Sequence, residues 1–78
     1  MVIVFTKHAR EMLAFRKLKK NLVKECVSNP DVILPTRGGK KIYLKDYGKN
    51  YLKLIVSEEN GDRVIVTLYW LVKRRVKE

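Results

Sequence analysis

Residues 51–72 read YLKLIVSEENGDRVIVTLYWLV, from Tyr51 to Val72. Apolar and polar side chains alternate on both sides of Asn60-Gly61. Successive side chains of a strand point to opposite faces, so this stretch predicts two strands, Tyr51–Glu58 and Arg63–Val72, folded back as a hairpin. Leu52, Leu54 and Val56 share one parity, and so do Val64, Val66, Leu68 and Trp70. A two-residue Asn-Gly turn pairs Leu54 with Thr67 and sets an apolar face against a mixed one. A three-residue loop, Glu59-Asn60-Gly61 with Gly61 left-handed, pairs Leu54 with Val66 and Lys53 with Thr67. Register follows the hydrophobic face, so the three-residue form is expected.

The period of two continues back to Pro30. It predicts strands at Asp31–Arg37 and Lys40–Asp46, with Gly38-Gly39 as a tight hairpin signal and Gly48 marking the next turn. Ile42 and Leu44 then fall on the core side. Lys41, Tyr43 and Lys45 join Tyr51, Lys53, Arg63, Thr67 and Tyr69 on the other. In the first of these strands Ile33 and Pro35 compete with Val32 and Leu34 for the core.

Before Pro30 the period is that of a helix. Thr6 suits an N-cap, because its hydroxyl can accept a free first-turn amide. A helix is expected over about Lys7–Phe15, with Ala9, Met12 and Leu13 inward. A second is expected over Lys19–Ser28, with Leu18, Leu22, Val23, Cys26 and Val27 as its apolar stripe. Asn29-Pro30 ends it, since a residue before proline avoids the α region. Val2–Phe5 is a candidate N-terminal edge strand. The whole chain, 1–78, thus reads as one α+β domain, with two N-terminal helices on one face of an antiparallel β-meander.

Composition narrows the function. Lysine and arginine number 18 against 8 acidic residues, a net charge of +10. That field attracts polyanions or acidic proteins. A lysine-rich surface evolved for heat would carry matching glutamate, and here it does not. The single cysteine, Cys26, allows no internal disulfide, and no His/Cys spacing suits zinc. No apolar run is long enough to span a bilayer. The N-terminus has no basic region followed by a cleavage site, so a cytoplasmic protein is expected. Walker and Rossmann loops, a Ser-His-Asp set and paired catalytic carboxylates are all missing. No cofactor or metal is expected.

Lysines and arginines interleaved with tyrosines on the uncovered sheet face suit nucleic acid. The cations neutralise phosphates, and the rings stack on unpaired bases. The same residues are also common on plain solvated strands. The helical cations Lys7, Arg10, Arg16, Lys17, Lys19, Lys20 and Lys24 would form a phosphate track beside the sheet, or an ordinary wet helix face. His8, the only histidine, is either a packed residue or a general acid or base. Cys26 and Trp70 read as core. Lys73, Arg74, Arg75 and Lys77 extend the positive field.

Phe5-Thr6-Lys7-His8-Ala9-Arg10, then Arg16, Val23, the Asn29-Pro30 break and the strand Val66-Thr67-Leu68-Tyr69 resemble an uncharacterised family of short proteins. Its opening signature is Lys-His-Ala followed by a spaced Arg, and it looks related to the RelE/ParE toxin superfamily. The glycine that usually follows the spaced Arg is Lys17 here. The resemblance implies a RelE-like fold, a toxin–antitoxin setting and a small acidic antitoxin as partner. RelE-like toxins cleave mRNA in the ribosome without metal, whereas ParE-like toxins inhibit gyrase. Position by position it marks His8, Arg10, Arg16, Thr67 and Tyr69.

The expectation is therefore a metal-independent endoribonuclease acting on RNA at the ribosome. Lys53, Tyr69, His8 and Arg63 would be catalytic. Lys41, Tyr43, Lys45, Tyr51, Arg10, Arg16, Thr67 and Arg74 would hold the nucleic acid. The alternative is a non-catalytic basic binding module, for RNA or for a protein target, neutralised by an acidic antitoxin.

Overall fold

The structure, a computed structural model, describes residues 2–72, with the backbone alone for Arg37. It is an α+β fold: β1 (Ile3–Phe5), α1 (Lys7–Arg16), α2 (Lys20–Ser28), β2 (Val32–Pro35), β3 (Lys40–Asp46), β4 (Asn50–Glu59) and β5 (Asp62–Val72). The strands form one sheet in the order β1-β5-β4-β3-β2. β2 to β5 are the expected antiparallel meander. β1 is the N-terminal edge strand, and it pairs parallel to β5, which makes the sheet mixed. No helix among the described residues is long and apolar enough to cross a membrane.

Thr6 caps α1 as its position suggested. Its Oγ1 accepts the Ala9 N–H at 3.1 Å and donates to the carbonyls of Ile65 and Val66, each at 3.1 Å. One hydroxyl thus begins the helix and ties it to β5. α1 ends at Lys17, which is left-handed (φ 56°). Its N–H donates to Ala14 O, and the Leu18 N–H reaches Leu13 O at 2.9 Å. That paired closure is the one glycine usually occupies. α2 ends where Asn29 donates to Glu25 O, just before Pro30.

The core is a single cluster. Ala9 and Leu13 of α1 and Val23, Cys26 and Val27 of α2 meet Tyr43, Leu52, Leu54, Val56, Ile65 and Leu68 of the sheet. Leu52, Leu54, Val56, Ile65 and Leu68 are wholly excluded from water. Burying each such side chain is worth about 1.5–3 kcal/mol, which is where a domain this small finds its stability.

Two loops overturn expectations about which residues face that core. The β4–β5 connection is the two-residue turn after all: Glu59 pairs with Asp62, and Asn60 (φ 51°) and Gly61 (φ 82°) are both left-handed. Asn-Gly is the sequence best suited to that geometry. The turn by itself would bring Leu54 opposite Thr67. A β-bulge prevents it: Val56 pairs with Ile65, Ile55 with Thr67, and Val66 is the additional residue. Leu54 therefore faces Leu68 and Lys53 faces Tyr69, not Val66 and Thr67. The bulge reverses the parity of β5, so Ile65 and Leu68 are both buried.

The β3–β4 connection also shifts parity. Asp46 pairs with Tyr51, with the four residues 47–50 between them, and Tyr43 pairs with Leu54. Tyr43, not Ile42 or Leu44, enters the core, and it is 3% exposed. Tyr47 explains the loop length. It leaves the strand to donate to Leu22 O (3.2 Å) and Glu25 Oε1 (3.0 Å) on α2, and it meets Trp70 edge-on at 6.0 Å. In β2, Ile33 takes the core-side parity opposite Tyr43, yet all four residues of the strand are exposed.

Candidate nucleic-acid interface

The register divides the expected site between two faces. Lys41, Tyr43, Lys45 and Arg63 lie on the side that carries the helices, because they pair with Val56, Leu54, Leu52 and Glu58. Lys53, Tyr51, Thr67 and Tyr69 lie on the outward side. The expected single surface of cations and phenols from three strands is thus not formed. The reason is the loop parity described above: a four-residue loop and a bulge each shift a strand by one position.

The helix-side group is internally engaged. Tyr43 Oη donates to Glu58 Oε2 at 2.7 Å, and Arg63 Nε lies 3.1 Å from the same phenol oxygen. Arg63 Nε and Lys41 Nζ are 3.5 and 3.2 Å from the Glu58 carboxylate. The hydrogen bonds from Tyr43 and Lys41 hold Glu58 below the usual carboxylate range. Burial, then the bond to Glu58, pushes the Tyr43 phenol up. Lys45 Nζ donates to Asn29 O at 2.9 Å. These four residues fasten the sheet to itself and to the end of α2. Cys26 lies beneath them, its Sγ 4.0 and 3.9 Å from Tyr43 O and Leu52 O, and burial pushes its thiol up to about 12.

The outward group is different. His8 Nε2 lies 3.0 Å from Thr67 Oγ1, on the exposed surface. Tyr69 is two residues further along the same side of β5. Lys53 faces it from β4, with Nζ 5.2 Å from the ring centroid. A continuous row runs His8, Thr67, Tyr69, Lys53, with Tyr51 next on β4. A cation over a phenol ring is a modest attraction at an exposed site, about 0.5–1 kcal/mol. It sets the ammonium beside an aromatic face while leaving both partly exposed.

The N-terminal end of α1 also exposes Lys7 and Arg10, and Arg10 Nη1 donates to Phe5 O of β1 at 3.5 Å. Arg16 sits at the other end of α1 with its guanidinium 5.7 Å from the Phe15 ring. Arg74 lies outside the described residues, as do Lys73, Arg75 and Lys77.

Alternation alone missed what flanks the row. On the outward side Ile55, Ile42 and Leu34 lie side by side across β4, β3 and β2, and Leu44 and Val32 continue the line from Lys53. Hairpin loop lengths held that signal, since parity depends on whether a loop has an odd or even number of residues.

The fold and this row define a small basic α+β domain with a cationic, aromatic surface along one side of its longest hairpin. The chain belongs to the family described as domain of unknown function DUF4258, whose profile matches residues 5–70. No curated protein and no solved structure matches it.

Proposed function

We propose that this domain is a RelE-like toxin that acts on RNA through the row His8, Thr67, Tyr69 and Lys53, and that an acidic antitoxin neutralises it. The observation that carries the reading is the row itself. A histidine held by a threonine and a lysine held over a tyrosine share one accessible surface of a +10 chain. Two helices followed by a four-stranded meander suit the RelE-like order of elements.

Tyr69 offers a ring for an unpaired base, while Lys53, Lys7 and Arg10 offer charge to phosphates. Cleavage would use the RNA's own nucleophile. His8 takes the proton of a 2′-hydroxyl, whose oxygen attacks the adjacent phosphorus. Lys53 offsets the charge of the phosphorane, and the bond to the 5′-oxygen breaks. Tyr69 protonates that oxygen, leaving a 2′,3′-cyclic phosphate and a 5′-hydroxyl. Arg63, expected beside Lys53, is engaged with Tyr43 and Glu58 and has no part in this scheme.

The test is incubation with mRNA and ribosomes in EDTA. The reading expects fragments ending in 2′,3′-cyclic phosphate, with cleavage reduced by roughly a hundredfold or more in Lys53→Ala with Tyr69→Phe. A second reading, a binding module without turnover, is favoured by the openness of the row: the His8–Thr67 bond is exposed to solvent. It expects affinity without fragments. On single strands the logarithm of its binding constant would fall with the logarithm of salt by about 0.7 per neutralised phosphate.

A further inference from the structure

β2 is the terminal strand of the sheet, at the opposite end from β1 and β5. Its residues, Val32-Ile33-Leu34-Pro35, carry no charge, and all are exposed; Val32, Ile33 and Leu34 are 42, 46 and 43% accessible. Exposed edges are normally blunted by lysine, a bulge or a covering element, because their free amides and carbonyls recruit another strand. Here only shortness and Pro35 serve that end. Val32 and Leu34 also continue the aliphatic tract of Leu44, Ile42 and Ile55 on the outward side, and Ile33 stands on the other.

We infer that β2 is a docking edge for an extended, acidic polypeptide segment, which joins the sheet as a further strand. Strand addition takes affinity from main-chain hydrogen bonds and selectivity from alternate side chains. Apolar side chains of the partner would lie over Val32 and Leu34. Its carboxylates would meet the field of a chain with 18 cations and 8 acids. A second copy of this chain could offer the same edge, but two +10 molecules repel. A charged complement is the occupant that both observations fit.

This deepens the partner part of the function proposed above, and it makes that part spatially specific. β2, β3 and β4 separate the docked segment from β5, so with strands about 4.8 Å apart it would lie about 19 Å from Thr67 and Tyr69. The docked strand itself would leave the row uncovered, so neutralisation belongs to the rest of the partner.

The experiment uses the whole chain and a blocked peptide alternating valine and glutamate. Its controls are a valine–lysine peptide and the acidic peptide with N-methylated backbone. Binding is followed by amide exchange and by affinity, with single-stranded RNA binding measured in parallel. The acidic peptide is expected to slow exchange of those β2 amides not bonded to β3 by about tenfold or more, and N-methylation to abolish the effect. Leu34→Thr with Val32→Thr, both exposed and both good strand formers, should weaken the peptide about tenfold and leave RNA binding unchanged. Equal binding of the N-methylated or the lysine peptide would overturn the inference. So would protection confined to the helices, or self-association through β2. Loss of RNA binding alone would count against the RNA reading and leave this one standing.

Discussion

Lys17 is the clearest case of a residue working against its backbone. It closes α1 in the left-handed region at φ 56°, where a side chain costs roughly 1–2 kcal/mol. Glycine, which has no Cβ, is the residue that such a closure usually carries. Lys17→Gly should raise stability by about 1 kcal/mol, seen as a higher midpoint in urea with an unchanged slope. A lower midpoint would show that the Lys17 side chain contributes something the backbone account omits.

Glu58 gives a second test at this scale. Its folded-state pKa lies below the ordinary 4.5, because Tyr43 and Lys41 bond to its charged form. A depressed carboxylate stabilises the fold above the ordinary range, and that contribution fades as pH falls through the lowered value. The stability gap between the natural chain and Glu58→Gln should therefore be open at neutral pH and close in acid. A constant gap would mean the charge is not what matters. Cys26, with its thiol pushed up to about 12 by burial, should resist thiol reagents at mildly alkaline pH until the chain unfolds.

Thr6 links two elements through one hydroxyl. It caps α1 and donates to the bulge carbonyls of β5. Losing an N-cap costs about 1 kcal/mol, and here the bonds to Ile65 and Val66 go with it. Thr6→Ala should cost more than a simple cap, and Thr6→Ser should recover most of the loss in thermal unfolding. Equal loss from both would place the effect in packing of the methyl group instead.

At this scale too lies what the sequence made legible. Helix α1, helix α2 and the strands could all be placed within a residue or two, β2 being shorter than expected by one residue at its start and two at its end. Each has strong periodicity and a clear terminator: Thr6, Asn29-Pro30 and the glycines. Facing was not legible for β3, or for β5 before its bulge. Alternation fixes faces only relative to a neighbour, and the neighbour's parity is set by details that leave little trace in composition. Tyr47 was drawn out of the strand by carbonyl and carboxylate acceptors on α2. Val66 was expelled as a bulge so that an Asn-Gly turn could coexist with Leu54 opposite Leu68. Leu54 does face an aliphatic partner, but the bulge supplies it and not the turn. Of the expected site, the Lys53, Tyr69, Thr67 and His8 portion survived because it depends on one hairpin and one helix start, whereas Lys41, Tyr43, Lys45 and Arg63 depended on parity carried across the bulge or the four-residue loop.

For the whole molecule the sheet separates two roles. The helix side holds the fold together, with Lys41, Tyr43, Glu58 and Arg63 as a bonded group at its open end. The outward side carries the row beginning at His8, the aliphatic tract beside it and the bare edge of β2. A net charge of +10 gives long-range attraction to any polyanion, so charge alone cannot say where RNA sits. Face can. Single-stranded RNA affinity should be measured for two charge-matched double variants at the same salt concentration, Lys53→Ala with Tyr69→Phe in the outward row and Lys41→Ala with Tyr43→Phe on the helix side. The first should weaken binding about tenfold or more and the second much less, once folding of both is verified. Equal losses, or a larger loss from the helix-side pair, would contradict an RNA surface built on His8, Thr67, Tyr69 and Lys53.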